Sequence, residues 1–210
     1  MSVKIALVGN GLTRDSAPFN DRSWQIWTTG SVAKILPRAN EVFDIHGDGV
    51  QPDDVLNGLD VWSIWLKEKR ETIHRSQTFD IERLIDRFGK IFNCSMTMML
   101  AEAIRRNADK IALYGVDFAE GYEPEFRVTF VYLLGIARGM GIDVDISPGS
   151  LLFGDYHTYQ YDAPDARVAA LRRNLTGWRA DLGRAENSAQ YLRGAIDAAE
   201  SCMRIFGGNK

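Results

Sequence analysis

The sequence contains little cysteine, little net charge and no long apolar run, and each absence excludes a class of protein. Its two cysteines, Cys94 and Cys202, are far apart and outside any CxxC pattern, so they indicate neither a zinc site nor a disulfide framework. A net charge of -3 argues against nucleic-acid binding through a general basic surface. No segment approaches the roughly 18 apolar residues of a membrane span, and the apolar run after Lys4 is too short for a secretion signal. We therefore expect a cytoplasmic protein.

What is present is an ordinary globular composition in an alternating pattern. The 210 residues are 45% hydrophobic and 25% charged, which is enough to bury a sizeable core. The run VKIALV at 3–8 has few polar residues on either face, as expected for a strand that helices cover on both sides. Further strands are predicted at 24–27 and 41–46, within 110–118, and at the end of 131–146. This strand–helix–strand rhythm predicts an α/β Rossmann-like fold, a mainly parallel sheet sandwiched by helices.

Two amphipathic helices are predicted in the middle of the chain. The segment 60–74 would place Trp62 and Trp65 one turn apart on a helix face. The segment 80–88 has Asp80 as its expected N-terminal cap. Both helices would lie on the faces of the sheet.

The predicted fold divides into residues 1–152, a nucleotide-binding domain, and residues 153–210, an aromatic loop with a helical tail. In the first domain, a later helix begins near Asn93 or Ser95, which are alternative caps. The tail has one apolar stripe on each side of Gly183, which predicts two helices broken near that glycine. These helices would either pack across the sheet domain or form the interface of a homo-oligomer.

A glycine-rich corner follows the first strand, in KIALVGNG at 4–11. Parallel sheets bind ligands at the carboxyl ends of their strands, where glycines let the backbone approach a phosphate and the next helix offers its N-terminal amides. Gly9, Asn10 and Gly11 would lie at that edge. The stretch is not GxGxxG and lacks the lysine of a P-loop, so a tight turn without a ligand is the alternative.

Two blocks of the sequence resemble known families. ALVGNGLTRD at 6–15 resembles the opening of the bacterial lipooligosaccharide sialyltransferases and of the family that includes archaeal hydroxymethylpterin diphosphokinases. The segment 93–121 resembles a second block of those families, in which a serine-bearing turn opens a helix and the next strand ends in GxDF. YLLGIARGMGIDVDISPGSLL at 132–152 resembles bacteriophage proteins that share both blocks.

The resemblance implies a nucleotide at the strand-end crevice, a cytidine nucleotide in the sialyltransferases and ATP in the diphosphokinases. Carried over residue by residue, Gly9, Asn10 and Gly11 match the nucleotide-contacting turn. Ser95 matches the small polar residue that opens the later helix, and Asp117 matches the acid at the strand end. An amide, a hydroxyl and a carboxylate are groups that can contact phosphate, ribose or a metal ion.

The sequence also departs from those families. Leu12 and Thr13 stand where the sialyltransferases have Pro and Ser, and no histidine precedes Asn93 where they carry their proposed base. His46, which closes the strand at 41–46, is the alternative base, since its ring should project at the same sheet edge and imidazole can shuttle a proton. A histidine that only hydrogen-bonds its own loop is the competing interpretation.

Charged residues near these strand ends complete the hypothesis. Arg14 and Arg127 are candidate clamps for the phosphates, since guanidinium matches phosphate oxygens in a bidentate fork; each could equally be a solvated surface charge. Arg127 is expected in the loop after the strand that ends at Asp117. The acids Asp117, Glu120, Glu123 and Glu125 could hold Mg²⁺ or form a solvated loop, and no metal motif supports the ion.

The predicted function is a nucleotide-dependent transferase, most simply a glycosyltransferase-like enzyme that uses a nucleotide-activated sugar. His46 or Asp117 would assist the acceptor while the glycine turn and an arginine hold the diphosphate. One alternative is a diphosphokinase or phosphotransferase that uses ATP with Mg²⁺ in the same crevice. The other is a non-catalytic protein that sequesters or senses a nucleotide, for example for a phage acting on its host.

Overall fold

The structure is a computed structural model that describes residues 2–46, 51–118, 124–153 and 166–207. The chain forms two compact units, Met1–Asp155 and Tyr156–Lys210. The first unit contains the sheet, and the second contains one long helix. Within the described ranges, no helix combines the length and the apolar composition needed to cross a membrane.

The first unit is built on a seven-stranded sheet in which every pairing is parallel. The strand order is β5-β4-β3-β2-β1-β6-β7. The predicted Rossmann-like α/β fold is thereby confirmed. The strands are β1 (Lys4–Val8), β2 (Trp24–Thr29), β3 (Glu41–Asp44), β4 (Ser63–Leu66), β5 (Ser76–Thr78), β6 (Lys110–Tyr114) and β7 (Asp143–Ile146).

Helices connect most of the strands. They are α1 (Gly30–Ala33), α2 (Asp53–Asn57), α3 (Ile81–Phe88), α4 (Ser95–Arg105) and α5 (Pro124–Gly139), and the second unit contributes α6 (Ala166–Gly207). Asp80 caps α3 as predicted, because its side chain accepts a hydrogen bond from the amide of Arg83. The residue that caps α4 is Cys94, which exchanges capping contacts with Thr97, rather than Asn93 or Ser95.

Strand β1 lies at the centre of the sheet and is covered on both faces. Ile5 and Leu7 belong to the apolar cluster that contains the buried faces of α4 and α5. Ala6 and Val8 belong to a second cluster, with Ala17, on the opposite face. These four side chains of β1 have no solvent exposure. The nearly continuous apolar run at 3–8 is therefore explained by burial on both sides.

A buried ion network holds the amino edge of the sheet. The guanidinium of Arg106 donates to Glu41 at 2.6 Å and to Glu102 at 2.7 Å, and it lies 4.6 Å from the ring centroid of Trp27. Burial acts to raise the pKa of Glu102, but hydrogen bonds from Arg105 and Arg106 outweigh it and hold that pKa below its usual range. The network ties β3 to the end of α4.

The predicted helix at 60–74 is wrong. Ser63–Leu66 form strand β4, in which Ile64 and Leu66 are buried while Ser63 and Trp65 are partly exposed. Trp62 precedes the strand and is 62% exposed, so it shares no helix face with Trp65. The indole of Trp65 donates to a carboxylate oxygen of Glu41 at 2.6 Å.

The predicted break in the C-terminal tail is also wrong. Ala166–Gly207 form one continuous helix of 42 residues. Gly183 lies within it with helical backbone on both sides, and a Cβ added there would contact nothing within 4 Å. Glycine lowers helix stability by about 1 kcal/mol relative to alanine, which is too little to interrupt a helix that is otherwise favoured.

Candidate functional site

A cleft opens at the carboxyl ends of β1, β2 and β6. The chain leaves β1 toward β2 on one side, and β6 lies on the other, so the strand order reverses at β1. Open parallel sheets bind their ligands at such a switch point. The cleft has a volume of about 280 Å³. Its walls come from the β1 and β6 loops, the end of β2 with the helix α1 that follows it, and the start of α4: Gly9, Asn10, Gly11, Thr29, Ser31, Val32, Met96, Gly115, Val116, Asp117 and Phe118.

The glycines after β1 let two strand-end loops pack against each other. The amide of Gly9 donates to the carbonyl of Tyr114, and that of Gly11 donates to the carbonyl of Gly115, both at 2.8 Å. Gly115 has a φ of +63°, and a Cβ there would lie 2.7 Å from the carbonyl oxygen of Gly9. The β6 loop therefore uses both glycine amides, and the predicted contact of this turn with a nucleotide stays a prediction.

A single 3-10 turn, Arg14–Ser16, follows the glycine turn. Arg14 donates to the side-chain oxygen of Asn10 at 3.0 Å and forms an ion pair with Asp15 at 2.8 Å. The Asn10 oxygen is thereby occupied, so its amide nitrogen, a hydrogen-bond donor, is the end left for a ligand. Arg14 supports Asn10, and its own contact with a phosphate stays a prediction.

Asp117 lies in the cleft wall and joins three segments of backbone. The residue is 5% exposed. One carboxylate oxygen accepts hydrogen bonds from the Ser150 hydroxyl and the Leu151 amide, each at 2.9 Å. The other accepts from the Leu12 amide at 3.2 Å. With both oxygens occupied by the protein, this geometry favours a positioning role over the predicted catalytic one, which stays a prediction.

His46 and Ser95 meet beside the cleft. His46 follows the end of β3, and its Nε2 lies 3.3 Å from the hydroxyl oxygen of Ser95, the first residue of α4. Ser95 is buried, whereas His46 is exposed. The next residue, Met96, lines the cleft. The prediction that His46 projects at the same sheet edge as Asn10 agrees with this arrangement.

Arg127 lies in the first turns of α5 rather than in a loop as predicted. Its guanidinium donates to the carbonyl of Phe118 at 2.7 Å. Phe118 has a φ of +44°, in the left-handed region that non-glycine residues rarely adopt. Arg127 therefore holds the backbone of the cleft wall in an unusual conformation, and its predicted contact with a nucleotide stays a prediction.

The sequence interpretation missed three polar residues near the cleft. The hydroxyls of Thr29 and Ser31 lie 3.4 Å apart in the wall that β2 contributes. Asp44 ends β3 and is 5% exposed, and burial raises its pKa. The sequence does contain signals for these residues. Hydroxyl side chains flank Gly30 directly after a predicted strand. Asp44 precedes His46 by two residues, which places both on the same side of an extended chain.

Part of the predicted chemistry falls outside the described ranges. Glu120 and Glu123 lie there, as does the aromatic segment 154–165. Among the residues that the structure does describe, no group of three histidine, cysteine, aspartate or glutamate side chains is arranged to hold a metal ion.

The fold is similar to those of solved sialyltransferases. A structure of CstII from Campylobacter jejuni with the substrate analogue CMP-3FNeuAc has a TM-score of 0.51 at 14% identity, over 72% of this chain and 83% of that one. A structure of CST-II with a trisaccharide acceptor and CMP has a TM-score of 0.51 at 14% identity, over 71% and 83%. No family profile and no curated protein sequence matches the chain. At this identity, the similarity shows the fold.

Proposed function

We propose that the protein is a nucleotide-dependent transferase of the glycosyltransferase type, which binds a nucleotide-activated sugar in the cleft between β1, β2 and β6. The observation that carries the proposal is the cleft itself, which lies at the switch point of a sheet of this topology. Two solved structures of the sialyltransferase CstII, which has a similar fold, contain CMP or a CMP-sugar analogue, which makes a CMP-sugar the first donor to test. The volume of about 280 Å³ suits the nucleotide part of such a donor.

The polar groups of the cleft suit a nucleotide phosphate or ribose. Asn10 presents an amide donor whose orientation Arg14 holds. Thr29 and Ser31 add hydroxyl groups at the end of the neighbouring strand, β2. Helix α4 begins at the cleft, and the positive end of its dipole favours an anion there. These groups replace the glycine amides as the proposed anion contacts.

His46 is the proposed general base. Its ring lies at the start of α4, where an acceptor hydroxyl could approach a donor sugar that projects from the cleft. Removing the proton of that hydroxyl would let its oxygen attack the anomeric carbon as the nucleotide leaves with the bonding electron pair. Ser95 fixes the ring through its hydroxyl.

The first experiment measures binding. Full-length protein is titrated with CMP, UMP, GMP and ATP and followed by thermal unfolding, where a ligand at 100 times its dissociation constant stabilises by about 2.7 kcal/mol. Asn10→Asp should weaken nucleotide binding by roughly tenfold or more, because it places a carboxylate against the phosphate. Asn20→Asp is the matched control, since Asn20 is exposed in the same β1–β2 connection and the change in net charge is equal.

The second experiment measures turnover. Release of nucleotide from CMP-, UDP- and GDP-sugars, and in parallel consumption of ATP, is followed with and without a saccharide acceptor. His46→Gln should reduce release about 100-fold or more while leaving nucleotide binding unchanged. His74→Gln is the control, because His74 is an exposed histidine outside the cleft lining. Binding without consumption of any donor would reject the transferase in favour of a nucleotide-binding protein, and consumption of ATP alone would indicate phosphotransfer.

A further inference from the structure

The C-terminal helix α6 carries an unbroken heptad pattern. Apolar residues recur at alternating intervals of three and four along the helix. One set of positions is Val168, Leu175, Leu182, Ala189, Ile196 and Met203. The other set is Leu171, Trp178, Ala185, Leu192, Ala199 and Phe206. We call these twelve residues the heptad seam. Apart from Tyr191, the residues of the two stripes predicted on either side of Gly183 belong to this one seam, which Ala185 and Ala189 make continuous.

A strict seven-residue repeat differs from the pattern of a helix that lies on a globular domain. Such helices follow the 3.6-residue period of the α-helix, whereas a 3.5-residue repeat keeps one narrow seam in register over many turns. Sustained over more than three or four heptads, this repeat is the signature of a coiled coil. The heptad seam continues for almost the whole of α6.

The large side chains of the heptad seam are exposed in the single chain. Trp178, Leu182, Leu192, Ile196 and Met203 are each 56 to 65% exposed. A standard interface buries about 800 Å² on each partner. An average of about 70 Å² from each of the twelve seam residues would reach that figure, with the larger side chains contributing more than the three alanines. A seam of this length suits the interface of a stable dimer.

The three interior glycines of α6 lie away from the heptad seam. Gly177, Gly183 and Gly194 occupy outer positions of the heptad, and a Cβ added at any of them would contact nothing within 4 Å. Each weakens an isolated helix by about 1 kcal/mol relative to alanine. A long solvated helix with three such residues gains its stability from packing along one face rather than from propensity.

The length of the seam identifies the partner. α6 has 42 residues and spans about 63 Å. The next longest described helix, α5, has 16 residues and would cover less than half of it. We propose that α6 of a second copy of this chain covers the heptad seam, so that the protein is a homodimer joined by a two-stranded coiled coil.

Sedimentation equilibrium of the full chain tests this proposal. The wild-type protein should have twice the 23.6 kDa mass of one chain and dissociate on dilution. Leu192→Glu should raise the dissociation constant roughly 100-fold or more, because it buries a carboxylate in an apolar seam. Tyr191→Glu is the matched control, since Tyr191 is the adjacent residue on the outer face and is 77% exposed. It should leave the constant within about twofold.

A second seam variant distinguishes a weakened dimer from a misfolded chain. Leu192→Ala keeps helix propensity and adds no charge, and it should weaken the dimer about tenfold or more. Circular dichroism of each variant checks that the fold is retained. A wild-type protein that stays monomeric up to about 100 μM would overturn the proposal. An oligomer that is equally sensitive to Tyr191→Glu and Leu192→Glu, or insensitive to both, would overturn it too.

Discussion

Substitution of Asp117 separates a residue that builds the cleft from one that performs chemistry. Asp117→Ala removes all three hydrogen bonds, to Ser150, Leu151 and Leu12. Hydrogen bonds to a charged group contribute about 1.5 to 3 kcal/mol each, and the 3.2 Å contact belongs at the weak end. Allowing for non-additivity, we expect the free energy of unfolding to fall by about 3 to 5 kcal/mol. Asp117→Asn retains one oxygen for Ser150 and Leu151 and should cost about 1 to 2 kcal/mol.

The assay is urea unfolding followed by tryptophan fluorescence in a Trp178→Phe background. The four remaining tryptophans then report on the first unit alone. Ser150→Ala removes one of the three hydrogen bonds and should lower the free energy of unfolding by about 1 kcal/mol. It is the reference against which the loss in Asp117→Ala is compared. An Asp117→Ala protein within about 1 kcal/mol of wild type would refute the positioning role. Equal losses for alanine and asparagine would show that the charge, and not the acceptor geometry, stabilises the loops.

Three further predictions concern the fold. Gly115→Ala should lower the free energy of unfolding by about 2 to 4 kcal/mol in a thermal melt, because the residue has positive φ and its Cβ would contact the β1 loop. Gly135→Ala is the control, because a Cβ there lies in open space on α5, and it should be neutral or slightly stabilising. Glu102 has a lowered pKa in the fold, so its contribution is complete above the ordinary glutamate value of about 4.3 and is lost as pH falls through the folded pKa. Glu102→Gln should therefore flatten the stability profile below about pH 4.5, measured by urea unfolding, and an unchanged acid slope would contradict this. Gly183→Ala should raise the stability of α6 by up to about 1 kcal/mol, seen by circular dichroism, and a loss of helix would indicate that the glycine is required.

The fold class could be predicted because its strongest signals are local. A run such as 3–8 is apolar on both faces only when helices cover both sides of the strand. Strand β4 could not be predicted, because it has only four residues and its alternation of buried and exposed positions is therefore short. Val61, Ile64 and Trp65 follow the i, i+3, i+4 spacing of a helix, which is the stronger pattern in this segment. Its burial depends on pairing with β3, which no local pattern reports.

The position of the candidate site could be predicted, but the use of its atoms could not. Strand-end glycines and Asp117 meet in one cleft, as parallel topology requires. Whether the amides of Gly9 and Gly11 face a ligand depends on the β6 loop, which follows about a hundred residues later in the chain. The carboxylate of Asp117 is likewise occupied by Ser150 and Leu151, which follow it by more than thirty residues. Contacts at such separations leave no trace in short motifs.

The place of β1 between β2 and β6 has a consequence for synthesis of the chain. One edge of β1 pairs with β2 almost at once, whereas the other must wait for Lys110–Tyr114 to leave the ribosome. Until β6 has left the ribosome, the nascent chain carries an apolar strand with an open hydrogen-bonding edge, the arrangement to which foreign strands add most readily. We expect misassembly between neighbouring nascent chains to be concentrated in the period before β6 docks.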